Sequence, residues 1–488
     1  MVPLSKPRQS MTRDALIFLP AKVVEGVLLM LVTSLYADLF STDAVAMFRY
    51  VNTSVQFSYL ILSGWMANAA TRYVGEQVAQ DEGRSLYSTV CTIYLIILTA
   101  VGAVCGVLFA ITREGLFLAG ILMFASYTAF QILNAMLVQL GKIRASVILS
   151  LTSASLKLLV AYLLVGGSAG HYPTAYPAVF ANAIADGVAS LGAIWALGIP
   201  AVFSFLAFSR PTLRRLFSFG APLMGVSVSV GLLNVVDTYL IGIFAGKAPL
   251  AIYSQNYTIG SSIFTMINVA VMRGVYPNVL RAWRTGGLKE AKPQLDRGVR
   301  LYLLLALPAA AGLCAVSRPL CQLLFPAVYH PASPVIGLTA CAMVCMGLTE
   351  YANKAYELEA DTMPVLQNSM TAAVVKIISS CLLLHFVGYL GAAWGSLLSF
   401  GVYLGLTVLR VRKRFLFHVP LRSWVRISLS ALGCFAAAWP LGRLPLSPLV
   451  RLCLAIPAGA GVYVLILALS GEIRQELLWV RRRLSRHS

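Results

Sequence analysis

Residues 15–40 read ALIFLPAKVVEGVLLMLVTSLYADLF, and residues 44–73 read AVAMFRYVNTSVQFSYLILSGWMANAATRY. Each is an apolar run long enough to cross a bilayer, because about 20 apolar residues cover the hydrocarbon core. Each also carries charge where lipid tolerates it least. Lys22 and Glu25 lie inside the first run, and Arg49 stands at the mouth of the second. A charge at the bilayer centre costs about 2.5–3.5 kcal/mol on insertion scales, so it faces a partner or a wet cavity. These two runs predict a membrane-embedded helix bundle with a polar interior.

The rest of the chain repeats the pattern. Of its 488 residues 59% are hydrophobic and 11% are charged, and the mean hydropathy is +0.80. Soluble domains average about 25% charged residues, so this composition predicts an all-α polytopic membrane protein. The net charge of +20 would suggest a nucleic-acid partner in a soluble chain. In a membrane protein its distribution sets topology instead, and no nucleic acid is expected. Val2–Arg13 is polar and leads into a run too long for a cleavable signal, so the first helix is expected to serve as its own insertion signal.

A window of about 20 residues predicts fourteen spans. They lie near 15–39, 44–70, 86–111, 115–139, 144–166, 173–199, 217–245, 248–275, 297–320, 332–356, 364–386, 388–409, 424–442 and 449–470. Span 6 is interrupted by Asn182 and Asp186. With both termini cytoplasmic, most of the 38 basic residues fall in inner segments, including the clusters Arg281–Arg300, Arg410–Arg426 and Arg481–Arg486. The outer loops keep only Arg113, Lys247, Arg318, Arg443 and Arg451. That bias is the one that orients membrane proteins, and it supports the span count. The connections 200–216, 276–296 and 410–423 and the tail Glu472–Leu484 combine arginine with aromatic residues. They suit short helices on an anionic leaflet, though the plainer and preferred reading is that they set topology.

A weak internal repeat divides the chain. A shift of about 204 residues lays Ala44–Tyr73 over Ala248–Pro277, matching Ala44 with Ala248 and Asn52 with Asn256. Pro20 of span 1 comes close to Pro222 of span 7. Prolines early in corresponding helices of two halves point towards a transporter site. The expected organisation is an N-terminal lobe (1–199), a linker (200–216), a C-terminal lobe (217–409), a linker with two appended helices (410–470) and a basic tail (471–488). The glycine spacings 102/106, 242/246, 391/395 and 401/405 are expected to let helices pack closely.

Local residues then add a resemblance. Leu233-Asn234-Val235-Val236-Asp237 carries an acid within span 7, Leu250-Ala251-Ile252-Tyr253-Ser254-Gln255-Asn256-Tyr257 opens span 8, and Tyr276-Pro277 closes it. Leu323-Leu324-Phe325 and Tyr329 follow span 9. With fourteen spans in a 6+6+2 plan, these resemble the polysaccharide flippase branch of the multidrug/oligosaccharidyl-lipid/polysaccharide (MOP) exporter superfamily. The resemblance covers spans 1–12 and is diffuse, without a strict signature. It implies a MATE-like fold and a place in the bacterial inner membrane. It also implies movement of a polyprenyl-(pyro)phosphate-linked oligosaccharide by alternating access between two V-shaped states, for envelope polysaccharide biosynthesis. In the lipid II branch, cationic residues on spans 1, 2 and 8 line the cavity, which implies Lys22, Arg49 and Arg273 here. Lys22 stands where arginine is more usual and loses a bidentate grip.

Two further bases, Lys157 and Lys376, lie near mid-span, where snorkelling is hardest. A lipid pyrophosphate is a compact multivalent anion, and basic side chains can offset its desolvation through charge-assisted hydrogen bonds. The substrate-binding candidates are therefore Lys22, Arg49, Lys157, Arg273 and Lys376. Each has a plainer role: Lys22 can pair with Glu25 or snorkel, Arg49 and Arg273 can anchor span ends, and the deep lysines can pair with carboxylates. The acids Glu25, Asp186, Asp237 and Glu350 are candidates for coupling or gating through H+ or Na+, or for neutralising those bases. The five histidines fall at span ends, in loops and in the tail, and the nine cysteines fall mostly in apolar runs as small buried residues. No metal site, cofactor or enzyme active site is expected, because there is no Gly-rich phosphate loop with Lys-Ser/Thr and no HExxH. Membrane lipid and glycan polymerases are the expected partners. A cation-coupled multidrug antiporter is the first alternative, kept open by Glu25 and Asp186. A non-transporting scaffold of a glycan-assembly complex is the second.

Overall fold

The computed structural model describes residues 7–79, 83–166, 172–199, 204, 207–359, 361–412 and 417–472. Nearly all of these are helical, and the one strand-like pairing among them is a bridge between Phe40 and Tyr172. The chain divides into two compact units, Met1–Ser254 and Gln255–Ser488. Among the described residues, eleven helices are long and apolar enough to cross a membrane. The chain is a multi-pass membrane protein.

The first unit holds α1 (Pro7–Leu39), α2 (Thr42–Leu62), α3 (Gly64–Ala79), α4 (Gly83–Thr112), α5 (Leu116–Gln139), α6 (Ile143–Leu164), α7 (Tyr176–Leu197) and α8 (Arg210–Phe244). The stretch expected as one span over 44–70 is two helices. The chain leaves helical geometry at Ser63 (φ −127°, ψ −17°), and the Ser63 amide closes α2 on the Tyr59 carbonyl. Hydropathy runs straight through this break, which is why the sequence does not reveal it. The next unit begins within α9 (Lys247–Leu324), where two helices meet at a kink. The expected spans 248–275 and 297–320 lie one in each, and the connection expected over 276–296 is helical on both sides of the kink. Gly286 and Gly287 form the kink, and Gly287 (φ 59°, ψ −142°) adopts a conformation that side chains with a Cβ avoid. A 3-10 turn (Ala327–Ala332) leads to α10 (Ser333–Leu358), α11 (Met363–Val387), α12 (Leu390–Val411), α13 (Leu421–Leu441) and α14 (Pro448–Leu469).

Small residues position these helices. On α7, Ala181, Ala185, Ala189 and Ala193 recur every four residues and are all buried. That stripe lets α5 and α6 approach on either side, the packing mode favoured where lipid removes the hydrophobic drive. Large apolar residues point the other way: Ile96, Val104, Val107 and Ile111 of α4 are exposed and would be solvated by lipid tails. Asn182 and Asp186 do not break span 6, because α7 runs through both and packing satisfies both.

The glycine spacings divide. A Cβ on Gly391 would collide with the Leu383 backbone, one on Gly395 with Ser380, and one on Gly242 with the Tyr50 hydroxyl, so these are close approaches. Gly102, Gly106, Gly401 and Gly405 meet nothing within 4 Å, and close packing is not their role.

Candidate functional site

In the first unit the deepest base and the deepest acid meet. Lys157 lies mid-way along α6 and Asp186 mid-way along α7, and the Lys157 ammonium sits 2.9 Å from Asp186 Oδ1. Their side chains are 14% and 2% exposed. The Ser153 hydroxyl, one turn before Lys157, donates to the same Oδ1 at 2.6 Å. One turn before Asp186, Asn182 donates through Nδ2 to the Tyr36 hydroxyl of α1 at 2.9 Å and to the Ala178 carbonyl. Ser190 caps this polar column by donating to the Asp186 carbonyl. The result is a buried hydrogen-bonded column linking α1, α6 and α7 inside a membrane bundle. An ammonium with three donors, held by one carboxylate and slightly exposed, can exchange that carboxylate for a phosphate oxygen.

Of the remaining candidates of this unit, Lys22 and Glu25 are more exposed than this pair, and Asp237 is buried apart from it. Lys22 pairs with Glu25 one turn on, at 2.6 Å, with side chains 30% and 21% exposed. Arg49 is half-buried on α2. Asp237 is buried on α8 and accepts a hydrogen bond from the Tyr253 hydroxyl at 3.0 Å. Beside it, Thr238 faces Thr53 and Tyr239 bonds Ser54 at 2.8 Å, so α2 and α8 share a polar seam.

In the second unit, Lys376 is wholly buried on α11, and its ammonium lies 5.3 Å from the centre of the Phe400 ring of α12. A ring face attracts a cation, and the attraction grows as water is excluded. Glu350 of α10 accepts a hydrogen bond from Asn268 Nδ2 of α9. One turn on, Lys354 donates to both oxygens of Glu357 at 2.7 and 2.6 Å and lies over the Tyr276 ring, whose hydroxyl also reaches Glu357. The side chain of Arg273 lies outside the described residues, as does the tail beyond Glu472. Among the described residues no group of three or more His, Cys, Asp or Glu could hold a metal.

Several of these partners were not singled out in the sequence: Tyr36, Ser153, Asn268 and Phe400 carry no signal of their own among so many serines and aromatics. A further polar knot surrounds Glu472, just past α14. Arg300 donates from Nε to Glu472 Oε1 at 2.9 Å and from Nη2 to its carbonyl at 2.7 Å, and Arg426 reaches Oε2 at 3.3 Å. Burial pushes the Glu472 carboxyl up, but the bonds from Arg300, Ser423 and Arg426 outweigh it and hold the group below the usual glutamate value.

With this geometry in hand, likenesses to known proteins can be placed on it. Residues 175–334 match the family described as polysaccharide biosynthesis protein. A stretch of 175 residues, 34% of the chain, is 28% identical to 32% of the Probable lipid II flippase MurJ of Rhizobium meliloti (strain 1021). A stretch of 253 residues, 50% of the chain, is 23% identical to 52% of the Probable flippase AglR of Haloferax volcanii. The chain thus spans about a third to a half of the length of these curated relatives. Among solved structures, the lipid II flippase MurJ in its inward closed conformation superimposes with a TM-score of 0.75 at 16% identity, covering 95% of this chain and 100% of that one. An inward-facing multidrug resistance MATE family transporter of the MOP superfamily gives 0.65 at 12% identity, covering 82% of this chain and 98% of that one. At such identities the likeness establishes the fold, and the resemblance read from the local sequence points to the same superfamily.

Proposed function

From a chain with the fold of the MOP exporter superfamily and the marks of its polysaccharide flippase branch, we propose a flippase for an anionic polyprenyl-linked saccharide. It carries the head group across the bacterial inner membrane by alternating access, with both termini cytoplasmic. The observation that carries this reading is the Lys157–Asp186 pair, a base held at mid-span on a single carboxylate. The arriving phosphate replaces Asp186 on the ammonium, and Asp186 keeps its bond to Ser153 while displaced. Lys22 and Arg49 offer further positive charge near the ends of the path, and Arg273 does the same on span 8. The prenyl tail stays in lipid between helices. Lys376, over the Phe400 ring, is a further binding candidate of this proposal. Coupling to H+ or Na+ through Glu25, Asp186, Asp237 or Glu350 belongs to the same proposal, as do glycan polymerase partners and the division into two six-helix lobes with two appended helices.

The experiment is reconstitution into vesicles with a fluorescent polyprenyl-pyrophosphate saccharide, followed by quenching from outside. Wild type should equilibrate the label between leaflets, and Lys157→Ala should slow it at least tenfold at equal protein. Equal rates in the two proteins would overturn the assignment of Lys157. Equilibration of a lipophilic organic cation in place of the saccharide lipid, dependent on Glu25 or Asp237, would make the protein a multidrug antiporter instead.

A further inference from the structure

A cavity of about 410 Å³ opens in the first unit between α2, α4 and α5. Its wall on α2 is Met47, Tyr50, Val51, Ser54, Val55 and Ser58, the one-face spacing of a helix. Val101 and Cys105 of α4 and Leu116, Phe117, Gly120 and Phe124 of α5 complete it. The lining is apolar apart from three hydroxyls and a single charge, Glu114, in the short connection between α4 and α5. A pocket of this size, apolar with few polar groups, has the character of a ligand site.

Two features define the ligand. The wall from Met47 to Ser58 is about 16 Å of helix at 1.5 Å per residue. That is about half of the roughly 30 Å hydrocarbon core, the depth of one leaflet. Charge at the shallow end then selects the head group. Glu114 is exposed where α4 ends, its amide held by the Thr112 hydroxyl at 3.3 Å, and its neighbour Arg113 is exposed too. A lone carboxylate at the mouth of an apolar cavity complements a head group that carries an ammonium.

We propose that this cavity binds one acyl chain of an aminophospholipid, with the lipid's primary ammonium on Glu114. By the bias of basic residues, the leaflet is the outer one. A primary ammonium donates charge-assisted hydrogen bonds to a carboxylate, whereas a quaternary choline has no N–H to donate. A phosphoglycerol lipid brings only negative charge and is repelled by Glu114. The site is separate from the Lys157–Asp186 column and does not depend on what the protein transports.

The test is native mass spectrometry of the full chain with an equimolar mixture of phosphatidylethanolamine, phosphatidylcholine and phosphatidylglycerol of identical chains. Wild type should retain phosphatidylethanolamine over the other two by about three- to fivefold, the range an exposed charge pair supplies. Glu114→Gln, an exposed change that leaves packing alone, should erase that preference while leaving a chain bound. Gly120→Phe should empty the site of every lipid, because a Cβ at Gly120 meets only Val51, at 3.7 Å, and a larger ring then occupies the cavity. Equal retention of the three lipids by wild type would overturn the proposal. So would a preference that survives Glu114→Gln, or lipid still bound at full stoichiometry in folded Gly120→Phe.

Discussion

Replacing Lys157 by Met leaves the Asp186 carboxylate, 2% exposed, with only the Ser153 hydroxyl beside it. Breaking a buried ion pair from one side costs about 3–5 kcal/mol, because an uncompensated charge remains. Ser153 and the 14% exposure of Lys157 place this case at the lower end, about 3 kcal/mol. Asp186→Leu strands the ammonium instead and costs a similar amount, softened by snorkelling of the lysine stem. The double variant removes both charges, and apolar replacements of buried pairs are often neutral or stabilising by about 1–4 kcal/mol. With the double variant near neutral, the double-mutant cycle should therefore show a coupling energy of about 4–6 kcal/mol, the sum of the two single costs. Equilibrium unfolding in mixed micelles of increasing dodecyl sulfate content measures all four proteins. A coupling below about 1 kcal/mol, the level of exposed pairs, would refute the account of the pair as a buried one. Flipping separates structure from function: the double variant should fold as well as wild type and still flip at least tenfold more slowly.

Other perturbations test the remaining features. Lys376→Met removes a wholly buried ammonium from the Phe400 ring at nearly constant shape, so flipping should fall, read by vesicle quenching with unfolding followed in parallel. Glu472→Gln should cost about 1.5–3 kcal/mol at neutral pH, the worth of hydrogen bonds to a charged group. The native Glu472 carboxyl is held below its unfolded value, near 4.3, so its contribution is complete above that pH and is lost as pH falls through the native value. Unfolding of the wild type at graded pH should show this loss, and Glu472→Gln should flatten it. Gly391→Ala should destabilise by about 1–3 kcal/mol through its collision with Leu383, whereas Gly401→Ala and Gly405→Ala should be neutral, as thermal unfolding would show.

What was legible in the sequence was whatever the bilayer dictates locally. Hydropathy sums along the chain, and a helix is the only open segment that satisfies its own backbone in lipid, so the class follows from windows of residues. The pairing of Lys22 with Glu25 was legible for the same reason, since three residues apart on a helix means neighbours. The pairing of Lys157 with Asp186 was not. Each stands alone in its own apolar run, and which face α6 and α7 turn to each other is set by the alanine stripe, the serines and Tyr36 together. Tertiary packing likewise placed Lys376 over Phe400, gathered Arg300 and Arg426 on Glu472, and opened the cavity beneath Glu114. Breaks in helices belong with these. Ser63 ends α2 inside an unbroken apolar run, and the two helices of α9 extend through the expected connection to meet at Gly286 and Gly287. Sequence by itself decides how many residues prefer lipid and in what order. The azimuth of each helix about its axis, and with it the partner of every buried charge, is a property of the assembled bundle, because it depends on surfaces far apart in the chain.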